Sequence, residues 1–201
     1  MRHIRHMLAA GCLLVAIPVH SAQTAALALD GFPVCYNFEC SRQQTVKLDA
    51  QQWRAIRTLF TPAPVSAADE RAVIRRAIAQ MEVFAGALTG TSDIGGNVTG
   101  AGRPGQMDCI DESTNTTTYL TLLQQDGLLR WHQVQERAQR DKWIIDIHWT
   151  AVIRDTDTGQ LYAVDSWFLD NGQPPYIQKL ADWLDKKDFA EQVGASKNDG
   201  F

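Results

Sequence analysis

The sequence predicts an α+β fold in which helices pack on an antiparallel sheet. Three observations carry that prediction. Helical apolar spacing marks residues 49–60, 66–85 and 108–126, strand-like patterns mark 129–134, 143–154 and 160–168, and the strand signals follow the helical ones. Apolar residues make up 45% of the 201-residue chain and charged residues 21%, the balance of a globular protein rather than a disordered one. A formal net charge of −4, with no basic block, gives no footprint for nucleic acid.

The first expected segment is a secretory signal over residues 1–28. Arg2 and Arg5 precede an almost wholly apolar run over 7–19, and Ala26-Leu27-Ala28 offers a cleavage pattern, with Ala22 an earlier alternative. The run falls short of the ~20 residues of a membrane-spanning helix, so no stable span is expected after cleavage, although a retained anchor is the competing reading. The expected location is the periplasm or the exterior. Residues 29–193 then form one domain, and 194–201 a flexible tail.

Export changes the cysteine arithmetic. With Cys12 in the signal, Cys35, Cys40 and Cys109 remain. Cys35 and Cys40, in CYNFEC within an extended or irregular stretch over 30–46, could close a short disulfide loop or contribute to a metal site that lacks a second ligand pair. Cys109 is left as the odd thiol.

In the first helix Trp53, Ile56 and Leu59 form one stripe; Pro62 and Pro64 break it. Ser66 caps the second helix, with Asp69 and Glu70 in its first turn and Val73, Ile74, Ile78, Met81, Phe84 and Ala85 on its apolar face. Residues 90–105 are rich in glycine and small polar side chains and read as a loop beside a site; the Gly-Lys-Ser/Thr ending of a phosphate loop is missing. The third helix opens at Asp108, with Asp111 as reciprocal cap, and ends at Asp126-Gly127. Its run over 113–118 is a poor helix former, so packing has to support it. A closing helix is expected over 177–184.

A helix terminus contributes typically ~0.3–1 kcal/mol toward a thiolate, and Asp108 and Asp111 oppose it, so Cys109 needs a base to be a nucleophile. Beyond the signal only His132 and His148 are available. His148 alternates with Ile145, Ile147, Trp149 and Ala151 and lies on the opposite strand face. A hairpin closing symmetrically about Thr156-Asp157 sets it directly opposite Asp165, roughly 5 Å apart at Cβ; a one-residue slip would separate them. His132, beside Trp131, reads as structural, and the tryptophans as core.

GQMDCIDESTNTTTYLTLLQQDGLL resembles the nucleophile helix of the transglutaminase-like superfamily, and IHWTAVIRDTDTGQLYAVDSW its paired His and Asp strands. Asp108-Cys109-Ile110-Asp111 is similar to the Asp-Cys-x-Asp motif of bacterial transglutaminase-like cysteine proteinases. The resemblance implies a papain/transglutaminase-like fold with Cys109 as nucleophile, His148 as base and acid, and Asp165 orienting the ring. It implies acyl transfer at a carboxamide of a protein or peptide substrate through a thioester. No cofactor and no metal are expected: Ile110 stands where calcium-binding members carry an acidic residue. The Cys109 N–H is a candidate oxyanion donor, with Gln106 and Trp53 as guesses for the second. A non-catalytic binding or assembly module and a cross-linking transglutaminase are the alternative functions.

Overall fold

The computed structural model describes residues 30–96, 104–141 and 147–186; the expected signal, the centre of the glycine-rich loop, residues 143–146 of the expected strand over 143–154 and the tail lie outside them. The architecture is α+β. Strands β1 (Phe32–Tyr36) and β2 (Arg42–Val46) form an antiparallel hairpin, followed by helices α1 (Ala50–Leu59), α2 (Ala67–Thr89) and α3 (Cys109–Gln125). A second antiparallel sheet, in the order β3-β4-β5-β6, comprises β3 (His132–Arg140), β4 (His148–Asp155), β5 (Leu161–Asp165) and β6 (Tyr176–Lys179), and α4 (Leu180–Leu184) closes the described chain. Among the described residues no helix is long and apolar enough to cross a membrane.

Local chemistry sets the helix limits. Asp49 accepts from the N–H groups of Gln51 and Gln52, and Gln52 answers to the Asp49 N–H. Ser66 caps α2 through the Asp69 N–H. Asp108 and Asp111 cap α3 reciprocally. At its far end Leu128 N–H donates to Leu123 and Gly127 N–H to Gln124, with Gly127 at φ 70°, a left-handed turn that glycine enters without Cβ strain.

The core joins Ile74, Ile78 and Met81 of α2 to Leu120 and Leu123 of α3, Ala151 and Ile153 of β4 and Phe32 and Val34 of β1. Helix α3 thus lies between the hairpin and the four-stranded sheet, and its polar run is held by pairing rather than by propensity. Thr114, Thr117, Thr118 and Thr121 each bond back to the carbonyl four residues earlier. Asn115 bonds both the N–H and the carbonyl of Cys35, and Thr116 meets Ser166 at 2.9 Å.

The Cys35–Cys40 disulfide expected of this pair is present and closes the β1–β2 hairpin, so no thiolate pair is left there for a metal. Other expectations need correction. The strand expected over 129–134 starts at His132 and runs on to Arg140. The buried Glu70 carboxylate takes the N–H groups of Arg130 and Trp131 out of the ladder and bonds His132 Nδ1 at 2.9 Å. The continuation escapes a period-two reading because β3 is an edge strand with polar residues. The strand expected over 160–168 ends at Asp165, and residues 177–179 of the expected closing helix belong to β6.

Leu120 is fully buried, whereas Val65 is 81% exposed. Leu120→Ala should therefore cost about 2–5 kcal/mol in urea unfolding, and Val65→Ala should leave the midpoint within error.

Candidate active site

Cys109 is the first residue of α3 and is half-buried, the one free cysteine among the described residues. The cap fixes its position: Asp108 Oδ1 accepts from Ile110 N–H at 3.0 Å and from Asp111 N–H at 2.9 Å. The thiol lies 3.9 Å from the carbonyl oxygen of Ile147, the residue before β4. The start of α3 therefore meets the start of the histidine strand.

His148 Nε2 and Asp165 Oδ2 are 2.8 Å apart, both residues buried. The register that brings them together is not the one expected. The ladder pairs Ala151 with Val164 and Arg154 with Leu161, so the hairpin closes about Asp157 and Thr158 rather than Thr156 and Asp157. The displacement moves each partner by two residues. An even shift keeps every side chain on its face, so His148 reaches Asp165 diagonally instead of directly. The turn sets this register: Asp155 N–H bonds Gln160 O, and Gly159 takes φ 72°.

Three donors converge on Asp165. Trp183 Nε1–H donates to Oδ2 at 2.7 Å, sharing that oxygen with His148, and Trp167 N–H donates to Oδ1 at 3.3 Å. Aromatic rings wall the imidazole, with Trp167 at 4.8 Å, Phe168 at 5.0 Å and Trp183 at 5.6 Å between centroids. Burial disfavours the imidazolium, but hydrogen bonding and charge from Asp165 and Cys109 outweigh it and push His148 up to about 9. With Nε2 engaged by Asp165, Nδ1 is the nitrogen left for the sulfur.

Two arginines of β3 border the site. An extra residue between Gln135 and Ala138 makes a bulge, a device that re-aims side chains. Arg137, inside it, stacks on Trp149 at 5.0 Å and donates to Ile110 O, Ser113 Oγ and Thr114 Oγ1 on the first turns of α3. Arg140 lies 4.3 Å over Trp183 and donates to its carbonyl at 2.6 Å. Neither arginine, nor Trp183, carried a sequence signal: each matters through a partner far along the chain.

Behind Cys109 lies a buried acidic group. Burial, opposed by the Gly172 N–H and Ser166, pushes Glu82 up to about 8. Glu112, one turn beyond Cys109, is driven well above the carboxylate range by burial and then by the charges of Glu82, Asp93, Asp111 and Asp165. Burial raises Asp93 to about 6 against N–H bonds from Met107 and Ile94. These groups do not gather into a metal site. Among the described residues the only trio with ligand atoms within 4.8 Å is Cys35, Cys40 and Asp111, and its sulfurs are bonded to each other.

The two guesses for a second oxyanion donor fare differently. Trp53 Nε1–H donates to Asp126 at the far end of α3, some 25 Å from Cys109 at 1.5 Å per residue, and is excluded. Gln106 lies near the site, but its amide donates to Ser92 O at 2.7 Å. The described part of the glycine-rich loop does reach the site's flank: Gly96 N–H bonds Trp167 O, and a Cβ on Gly95 would lie 2.5 Å from the Leu169 backbone.

The acidic group fixes a pH dependence. Unfolded, Glu82 releases its proton near 4.5; folded, it keeps it up to about 8, so the folded state binds more protons between these values. Stability must fall as pH rises through that window. Melting temperatures should decline from pH 5 to 8, and Glu82→Gln, which keeps an acceptor for Gly172, should flatten the decline by several degrees.

No protein-family model, curated protein or solved structure matches the chain.

Proposed function

We propose that this chain is a transglutaminase-like cysteine hydrolase with a papain/transglutaminase-like arrangement, cleaving a peptide or other amide bond through Cys109, His148 and Asp165. The observation that carries the reading is the buried His148–Asp165 bond set beside a cysteine that opens a helix. The thiol proton rests on His148 as an imidazolium, and the Cys109 sulfur attacks the carbonyl carbon of the amide. The oxyanion that forms is met by the Cys109 N–H: the Asp108 side chain holds the Ile110 and Asp111 donors, and its carbonyl holds that of Glu112. His148 then gives its proton to the leaving nitrogen as the C–N bond breaks. Water, deprotonated by His148, attacks the thioester carbonyl and releases a carboxylic acid and the thiol.

Asp165 holds the ring and stabilises its cationic form, and Trp183 fixes Asp165. The aromatic wall keeps water off the His148–Asp165 bond, where a lower dielectric strengthens it. Arg137, bound to the first turns of α3, holds the nucleophile against the sheet.

The test is alkylation of Cys109 by iodoacetamide at pH 7, followed by peptide mass spectrometry. The wild-type rate should exceed that of His148→Ala by at least ~10-fold, the effect of one unit in the thiol pKa, and Cys109→Ser should take up no label at this position. Equal slow labelling of wild type and His148→Ala would remove the enzyme reading in favour of a binding module. Steady incorporation of an amine probe into acyl donors, in preference to hydrolysis, would redirect the reading to cross-linking.

A further inference from the structure

The loop joining β1 to β2 has an unusual backbone. Asn37, Phe38, Glu39 and Cys40 have φ values of 70°, 67°, 55° and 53°, four consecutive non-glycine residues in the left-handed region. Each Cβ there crowds the following carbonyl, so such a run persists only when its surroundings hold it.

Two constraints hold it. One is covalent, the Cys35–Cys40 disulfide across the loop. The other is ionic. Successive left-handed residues point their N–H groups into a common concavity suited to an anion, and two carboxylates fill it. Phe38 N–H donates to Asp111 Oδ2 and Cys40 N–H to Asp111 Oδ1, both at 2.8 Å, and Glu39 N–H donates to Asp108 Oδ2 at 2.9 Å. These are the two acids that cap α3 on either side of Cys109. Further bonds align the same segments: Asn37 N–H to Gln106 O at 2.9 Å, and Asn115 to both backbone groups of Cys35. The loop is a mould for the amino end of the nucleophile helix.

We propose that the Cys35–Cys40 disulfide is a redox control site: its reduction by a dithiol releases residues 37–40 from Asp108 and Asp111, loosens the first turn of α3 and suppresses the reactivity of Cys109. The part concerning reactivity rests on the nucleophile role given to Cys109 above. Cys40 is half-buried and Cys35 fully buried, so the attacking thiolate reaches the Cys40 sulfur and Cys35 leaves as thiolate. The reductant's second thiol then displaces Cys40 from the mixed disulfide. Two electrons and two protons pass to Cys35 and Cys40, and the dithiol becomes a disulfide. With the loop open, the left-handed run relaxes and the N–H concavity disperses. Asp111 loses two of its three N–H donors, and only the Asp108 N–H remains. The protein is thereby reactive in an oxidising compartment and quiescent in a reducing one.

The experiment compares the oxidised protein, the protein reduced with dithiothreitol, the reoxidised protein and the Cys35→Ser/Cys40→Ser variant. Peptide-resolved mass spectrometry follows Cys109 alkylation separately from the other thiols, and hydrogen exchange follows residues 108–112. Reduction should slow Cys109 labelling at pH 7 by about tenfold, move its rate profile to higher pH by about one unit, and speed exchange in the first turn of α3. Far-UV circular dichroism should be retained, the double variant should match the reduced protein, and reoxidation should reverse every change. Unchanged labelling with unchanged exchange would overturn the proposal, and so would global unfolding on reduction, which would make the bridge a staple of the whole fold. If Cys109 labels no faster than in His148→Ala even when oxidised, the enzyme reading fails. The exchange data then decide the coupling alone: faster exchange on reduction supports it, and unchanged exchange overturns it.

Discussion

The constraint on which the site depends is the burial of the Asp165 carboxylate. An acceptor of this kind left without donors would cost more than any one packing contact returns. The fold answers from three elements: the imidazole of His148 on β4, the indole of Trp183 on α4, and the Trp167 N–H just beyond β5. Much else follows from that convergence. Strand β5 has to stop at Asp165 so that Trp167 can turn inward. The chain has to return through β6 to deliver Trp183, and the His148 ring is left with one nitrogen committed and the other facing the sulfur.

The second organising element is α3, a helix that is buried yet polar. Its Leu and Tyr residues join the core only in its second half, and its first half is held by hydrogen bonds to the hairpin, to Arg137 and to Ser166. The start of the helix is consequently determined by polar geometry, which fixes position more tightly than apolar contact does. The same region concentrates carboxyl groups, and burial raises Glu82 to about 8 and Glu112 well above the carboxylate range. Acid placed this deep destabilises the folded state at high pH, a stability cost located next to the group that carries the proposed chemistry.

The parts of the structure legible in the sequence are those set by local chemistry. Ser66 and Asp108 mark helix starts because a cap needs only its own next turn, and Asp126-Gly127 marks an end for the same reason. The shared face of His148 and Asp165 was legible because strand periodicity fixes parity; the register was not, because it depends on a six-residue turn. What stayed hidden depends on partners distant in sequence. Trp183 gave no sign that it would meet Asp165, the polar edge strand through Arg140 lacks alternation, and the left-handed run over 37–40 makes sense only with Asp108 and Asp111 beneath it. The pair Cys35 and Cys40 suggested a disulfide without indicating that it would clasp the start of α3.

Hydrogen bonding and charge from Asp165 and Cys109 hold the proton on His148. Nuclear magnetic resonance titration of the His148 ring, with Asp165→Asn as comparison, tests this most directly. The midpoint should lie at about 9 in the wild type and fall toward the ordinary histidine range of ~6.5 in the variant. A wild-type midpoint already near ~6.5, unmoved by Asp165→Asn, would mean that Asp165 does not hold the proton on His148.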